Sequence, residues 1–349
     1  MAYVPILKGK RGEFTALENV DATVQAHIRP ILEIVPGGGL RDVMETFRDH
    51  AWNHLPTGLE VAVDSGALWH AGPVGGFFTG HSMHWLSESF GAWCLPLVPV
   101  FRVHDPSEAL AEVRDVQRAH GLGATLRLDV LGLPEDTSVI SRKVRAALRT
   151  VRLVPEQVDL LLDAGYLPSD TAVARTVPAM LHALGWAHTV PWRHVVAASG
   201  SFPPTLKPLL RGRPNRLHRW ETALWHKVAR SFEGAPPDFG DYGVSHPAMP
   251  KGGWRGDPHL RYTVGEDWQV YIETRQRTGN DDFFVLCQDL LRSDHWPSQG
   301  ESTSWGDRHI ALCARGHRSK AGTATEWRAW ATSHHMAVVT HAMRSMGTP

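Results

Sequence analysis

Short runs along this chain alternate apolar and polar residues, and most of them end on a polar side chain. In the run at 124–130, Thr125, Arg127 and Asp129 fall on one face of an extended strand, and Leu126, Leu128 and Val130 fall on the other. The same two-residue period returns at 59–64, ending on Asp64, and at 158–163, ending on Asp163. It returns again at 3–8, 29–35, 97–102 and 195–199, and most weakly at 239–242. Stretches of helical length lie between these runs, at 13–27, 40–54, 107–120, 142–151, 170–184 and 218–230, with a Trp- and His-rich stretch running to Trp93. Ser107 and Asp170 read as helix N-caps. Strand–helix alternation of this kind predicts an α/β fold with a parallel sheet. Eight such pairs over roughly 250 residues predict a (β/α)8 TIM-like barrel at 1–250. An open doubly wound sheet is the competitor. Pro5, Pro30 and Pro99 near strand starts weigh against central strands. The shared polar strand ends favour the barrel, because they would converge on one mouth.

The period breaks at about Lys251. The remainder, 251–349, is rich in Trp, His and Gly, with a strand-like run at 268–273, a helix near 281–292, a further strand at 309–314 and a C-terminal helix after Trp327. It is expected to form an appended α+β subdomain that caps the barrel mouth, since the eighth strand delivers the chain on that side.

Charge and cysteine content narrow the function. Lys+Arg and Asp+Glu both number 36, so the net charge is zero. A nucleic-acid-coating surface is therefore not favoured, nor is an anionic-membrane surface. With no membrane-length apolar run and no signal-peptide pattern at the start, a cytoplasmic protein is expected. The three cysteines, Cys94, Cys287 and Cys313, fit neither a disulfide framework nor a Cys-x-x-Cys metal site.

Strand parity places Lys8, Glu33, Asp64, Arg102, Asp129, Asp163, Ser199 and Asp241 at the mouth, with Arg127 one layer below. Carboxylates this crowded need a counter-charge, either from Lys and Arg or from a divalent cation such as Mg or Mn. Glu33, Asp64 and Asp129 are the candidate metal ligands. Together with Asp163 and His334 they are also the candidate catalytic residues. Lys8, Lys10, Arg102, Arg127, Ser199, Ser201, Asp241 and Arg328 are the candidate substrate-binding residues. Here the Ser199–Gly200–Ser201 turn occupies the position where barrels often hold phosphate. Adjacent His334 and His335 point about 100° apart on a helix and cannot easily share one metal.

The segments YVPILKGK at 3–10, GEF at 12–14, PILE at 30–33, GDYG at 240–243, SWGD at 304–307, Trp327-Arg328 and His334-His335 give the chain a resemblance to the "beta" protein family first named in phage satellites. The resemblance spans nearly the whole chain. It implies a part in bacterial phage-defence or toxin-like loci, often beside a partner protein encoded nearby. It supplies no catalytic residues. Two functions follow from the residues. One is a barrel enzyme hydrolysing a phosphate-bearing small molecule or nucleotide with a divalent metal. The other is a non-catalytic module that senses a ligand or phage component and docks a partner protein in a defence complex.

Overall fold

The structure, a computed structural model, describes all residues except 76–79, 250–256 and 275–279. The boundary expected at 250/251 lies outside the described residues. The first strand, β1 (Tyr3–Leu7), is followed by α1 (Arg11–Glu18) and α2 (Ala22–Gln25), so the expected 13–27 helix is two pieces. Next come β2 (Ile31–Glu33), α3 (Leu40–His54), β3 (Ala62–Asp64), α4 (Ser82–Ala92), β4 (Val98–Phe101) and α5 (Ser107–His120). The chain continues through β5 (Ala124–Asp129), α6 (Thr137–Val151), β6 (Val158–Tyr166), α7 (Asp170–Ala187) and β7 (His194–Gly200). A short β8 (Asn215–His218) and α8 (Trp220–Ser231) precede β9 (Asp238–Asp241). Strands β1 to β7 and β9 close into one eight-stranded barrel, every neighbouring pair parallel, with β9 returning to β1. The (β/α)8 expectation therefore holds, with β8 set outside the ring.

Two apolar layers make the barrel. Val4, Ile6, Ile31, Val100, Leu161, Val196, Ala198 and Tyr242 cluster inside it. Leu7, Leu32, Val63, Phe101, Leu126, Leu128 and Leu162 face outward, into the larger cluster shared with the helices. Alternation along each strand thus gives both layers from one run. Two expected caps move by one residue. Pro106, rather than Ser107, is the N-cap of α5, and the Ser107 hydroxyl donates to Glu108 instead. Ser169, rather than Asp170, caps α7, its Oγ accepting the Ala172 N–H.

The remaining strands, β10 (His259–Val264) and β11 (Asp267–Ile272), pair antiparallel with β8 in the order β10-β11-β8. This small sheet therefore takes one strand from the first 250 residues. Helices α9 (Asp282–Arg292), α10 (Trp305–Ala314) and α11 (Ala324–Met346) complete the chain. The strand expected at 309–314 is helical. Ser304 caps α10 by accepting the Asp307 N–H, and the buried Gly306, Asp307, Ile310, Ala311 and Cys313 recur at helical spacing. A Cβ at Gly306 would lie 2.1 Å from the Trp330 carbonyl oxygen, so only glycine lets α10 approach α11 this closely. Among the described residues no helix is long and apolar enough to cross a membrane.

Candidate functional site

Five of the strand ends bring their charges together in the bore. Glu33, Asp64, Asp163, Lys8 and Arg102 follow the inward-facing residues of β2, β3, β6, β1 and β4, and Arg127 reaches up between them from β5. The Arg127 guanidinium donates from Nη1 to Glu33 (2.8 Å) and Asp64 (2.7 Å), and from Nε and Nη2 to Asp163 (3.0 and 2.7 Å). Arg102 holds Asp64 through both terminal nitrogens, at 3.0 and 2.5 Å, and Lys8 Nζ lies 2.5 Å from Glu33 Oε2. The Tyr242 hydroxyl donates to Asp163 at 2.6 Å and lies 2.6 Å from Arg127 Nη2. Three cations meet three carboxylates. Burial alone would raise the Asp64 carboxyl, but Arg102 and Arg127 outweigh it and hold the group well below the usual carboxylate range. Burial beside Asp163 pushes the Tyr242 phenol up, so it stays a neutral donor.

The ring does not suit Mg or Mn. Glu33, Asp64 and Asp163 each accept from a guanidinium or ammonium group already. The third candidate ligand, Asp129, is exposed, with its carboxylate accepting the N–H of Leu131 where the chain leaves β5. Among the described residues no group of three or more His, Cys, Asp or Glu side chains is placed to hold a metal ion.

Three candidates face away from the bore. Val4 pairs with Gly240 across β1 and β9, which puts Gly240 and Tyr242 inside and Asp241 outside. Asp241 is buried there. It accepts from the Tyr3 hydroxyl (2.6 Å) and the Gly243 N–H (2.8 Å) on one oxygen, and contacts Arg219 (3.3 Å) and His335 Nε2 (2.9 Å) with the other. Burial alone would raise this carboxyl, but His335, Arg219 and Tyr3 hold it down at about 2. Ser199 alternates with the inward Ala198 and so lies on the outer side, while the Ser201 hydroxyl donates to Glu221 at 2.5 Å. The phosphate turn expected after β7 is therefore spent on packing. His334 is equally committed: Nδ1 lies 2.9 Å from Asp307 and Nε2 lies 2.8 Å from the Thr263 carbonyl, with the ring stacked on Tyr262 at 3.8 Å. The two adjacent histidines do diverge, and each engages a different aspartate.

At the rim lies a different environment. A cavity of about 430 Å³ is lined by Lys8, Lys10, Ser245, His246, Arg261 and Arg328, with Phe202, Pro203 and Pro204 on one wall. Arg328 donates to Ser245 Oγ at 2.6 Å, and its nearest carboxylate, Glu13, is 3.7 Å away. Arg261 donates to the Val244 carbonyl and lies 4.4 Å over the Phe202 ring, while its buried Nε has no hydrogen-bond partner among the described residues. Burial, then the neighbouring Arg328, depresses the Arg261 guanidinium well below its ordinary range. Burial likewise lowers Lys10, with Glu13 opposing and Arg328 adding to the shift. Among the described residues, Lys10, Arg261 and Arg328 thus face a single carboxylate, Glu13. Lys8, Lys10 and Arg328 are expected at the site from the sequence; Arg261, Ser245 and His246 are not.

A second cavity, of about 480 Å³, is lined by Glu33, Trp69, His70, Arg102, Asp105 and Glu112 among others, and it shares Met249 with the first.

The family model described as Beta protein matches residues 3–341. No curated protein matches the chain.

Proposed function

We propose that this chain, which belongs to the Beta protein family, binds a phosphate-bearing small molecule in the cationic cavity at the rim of its barrel mouth. In this reading residues 251–349 form a capping subdomain on a 1–250 barrel, and they supply Arg261 and Arg328 to the site. The observation that carries it is Arg261, an arginine buried at Nε without an acceptor among the described residues, beside a second arginine and a lysine that share one carboxylate among those residues. Burying cations together is costly unless an anion completes the set, and a phosphate group offers acceptors that match the guanidinium fork. Pro203 and Pro204 on the wall have no N–H to donate, so side chains would carry the recognition.

The site is better suited to sensing than to metal-assisted hydrolysis, because every carboxylate of the neighbouring ring already has a cation. A module that responds to a ligand and docks a partner protein encoded nearby fits the phage-defence setting that the family resemblance implies. One observation favours catalysis as a second reading. His246 Nδ1 accepts the Ala248 N–H, so the neutral ring carries its proton on Nε2, where it would donate a hydrogen bond to a phosphate oxygen and stabilise charge that develops there.

Calorimetric titration with inorganic phosphate and pyrophosphate tests the proposal. Binding should weaken about tenfold in Arg261→Gln and in Arg328→Ala, the value of one charge-assisted contact. It should also weaken with added salt. No heat from either anion at low salt, or no effect of either variant, would sink it. Release of phosphate from pyrophosphate, lost in His246→Ala, would select the catalytic reading.

A further inference from the structure

We infer that the second cavity receives a heteroaromatic ring, so that the ligand is a nucleotide lying across both cavities with its phosphate at Arg261 and Arg328. The inference rests on the phosphate reading above and adds the other end of the molecule. The two cavities are neighbours: they share Met249, and Lys8 of the first is ion-paired to Glu33 of the second. A ligand lying across both would pass the Lys8–Glu33 ion pair, which the Pro247 carbonyl and Arg127 also hold, and one flexible thioether side chain.

Their chemistry is opposite. In the second cavity Arg102 and Arg127 are already neutralised by Asp64, Glu33 and Asp163, so neither is free for an anion. Asp105 and Glu112 add acceptors. Asp105 takes the Arg102 backbone N–H with Oδ2, and Glu112 takes the backbone N–H groups of His81 and His84. A phosphate would be repelled here, whereas the N–H groups of a base would find acceptors. The wall supplies a stacking surface: Trp69 is half-buried, with His81 stacked on it at 4.2 Å and 22°, and it lines the cavity. Base-on-aromatic stacking tolerates every base, because each has a π face. The acceptors favour bases that carry an exocyclic amino group.

The test titrates the full chain with inorganic phosphate and with AMP, GMP, CMP and UMP by calorimetry. At least one of the monophosphates with an amino-bearing base should bind about tenfold or more tighter than phosphate, the gain of one stacked base. Trp69→Leu should abolish that gain while leaving the affinity for phosphate within about twofold, and Trp69→Phe should restore most of it. Phosphate bound as tightly as every monophosphate would overturn the inference and leave the cationic site standing. So would a Trp69→Leu variant, with phosphate binding intact, that keeps the full preference for the monophosphate. If neither phosphate nor any monophosphate binds, the phosphate reading itself fails and takes this inference with it.

Discussion

The bore of the barrel and its rim carry similar residues in opposite arrangements. In the bore, Arg127, Arg102 and Lys8 meet Glu33, Asp64 and Asp163, and every charge has a partner. At the rim, Lys10, Arg261 and Arg328 face only Glu13 among the described residues. The first arrangement is complete without a ligand and so acts on stability. The second is incomplete, and it keeps binding energy in reserve for an anion. An arginine in a barrel mouth is thus informative only together with the carboxylates within reach of it.

The strongest way to break this contrast is Arg127→Met. Removing the guanidinium leaves Glu33, Asp64 and Asp163 buried beside one another, and stability should fall by about 3–5 kcal/mol in urea denaturation. A variant as stable as the parent would show that the ring is not the structural element described above.

The clasp around Asp241 gives the next largest effect, and it depends on pH. Its carboxyl lies at about 2 in the folded chain, against about 3.9 for an aspartate in water. The unfolded chain therefore takes up the proton first as pH falls. The contribution of this group is full above about pH 4 and is lost towards pH 2, an amount of roughly 2 kcal/mol. Asp64, also held low, loses its contribution in the same direction. A thermal melting series from pH 6 to pH 2 should show the decline, and Asp241→Asn should lower stability near neutrality while making the series flatter. An equally steep series in Asp241→Asn would remove Asp241 as its source.

Arg261→Gln sharpens the comparison from the other side. Losing a depressed guanidinium beside Arg328 should leave stability within about 0.5 kcal/mol or raise it slightly, even as phosphate binding weakens. A large loss of stability would make Arg261 another structural charge. Asp129→Ala likewise has a small effect, since it removes an exposed turn contact to Leu131. It should cost about 1 kcal/mol or less and leave the protein folded, as a melting curve would reveal.

Parity made the bore legible from sequence, because a parallel barrel leaves each strand one inner face and one outer face. Glu33, Asp64, Arg102, Asp163 and Lys8 could be placed on that basis. Parity failed at Asp241 and Ser199. Alternation is symmetric, and only the register of β9 on β1 and of β7 on β6 decides which half points inward. At the end of β9 the inner positions went to Gly240 and, one residue past the strand, Tyr242, with a Cβ at Gly240 coming 2.8 Å from Ala198 Cβ. Arg261 stayed hidden because β10 went unread, and β8, with the polar sequence NRLH, showed no apolar run to mark it. The signal available for β10 was the HLRYTV run, whose Leu260 and Tyr262 are buried while Arg261 is only partly so. The helix at 305–314 was also readable, from Ser304 as a cap ahead of Ile310 and Cys313. That three cations would cancel three acids is a matter of distances between distant segments, which no local pattern encodes.

The meeting of His335 with Asp241, beside Tyr3 of the first strand, has a consequence for synthesis on the ribosome. His335, which helps secure the seam between β9 and β1, belongs to α11, a helix translated long after both strands. At about 5–20 residues per second, β1 waits on the order of tens of seconds for that helix to emerge. During that interval the seam lacks its latch and Tyr3 lacks its cover. Nascent chains stalled before residue 324 should therefore be cut by protease near the first strand, and should become resistant once α11 has cleared the exit tunnel.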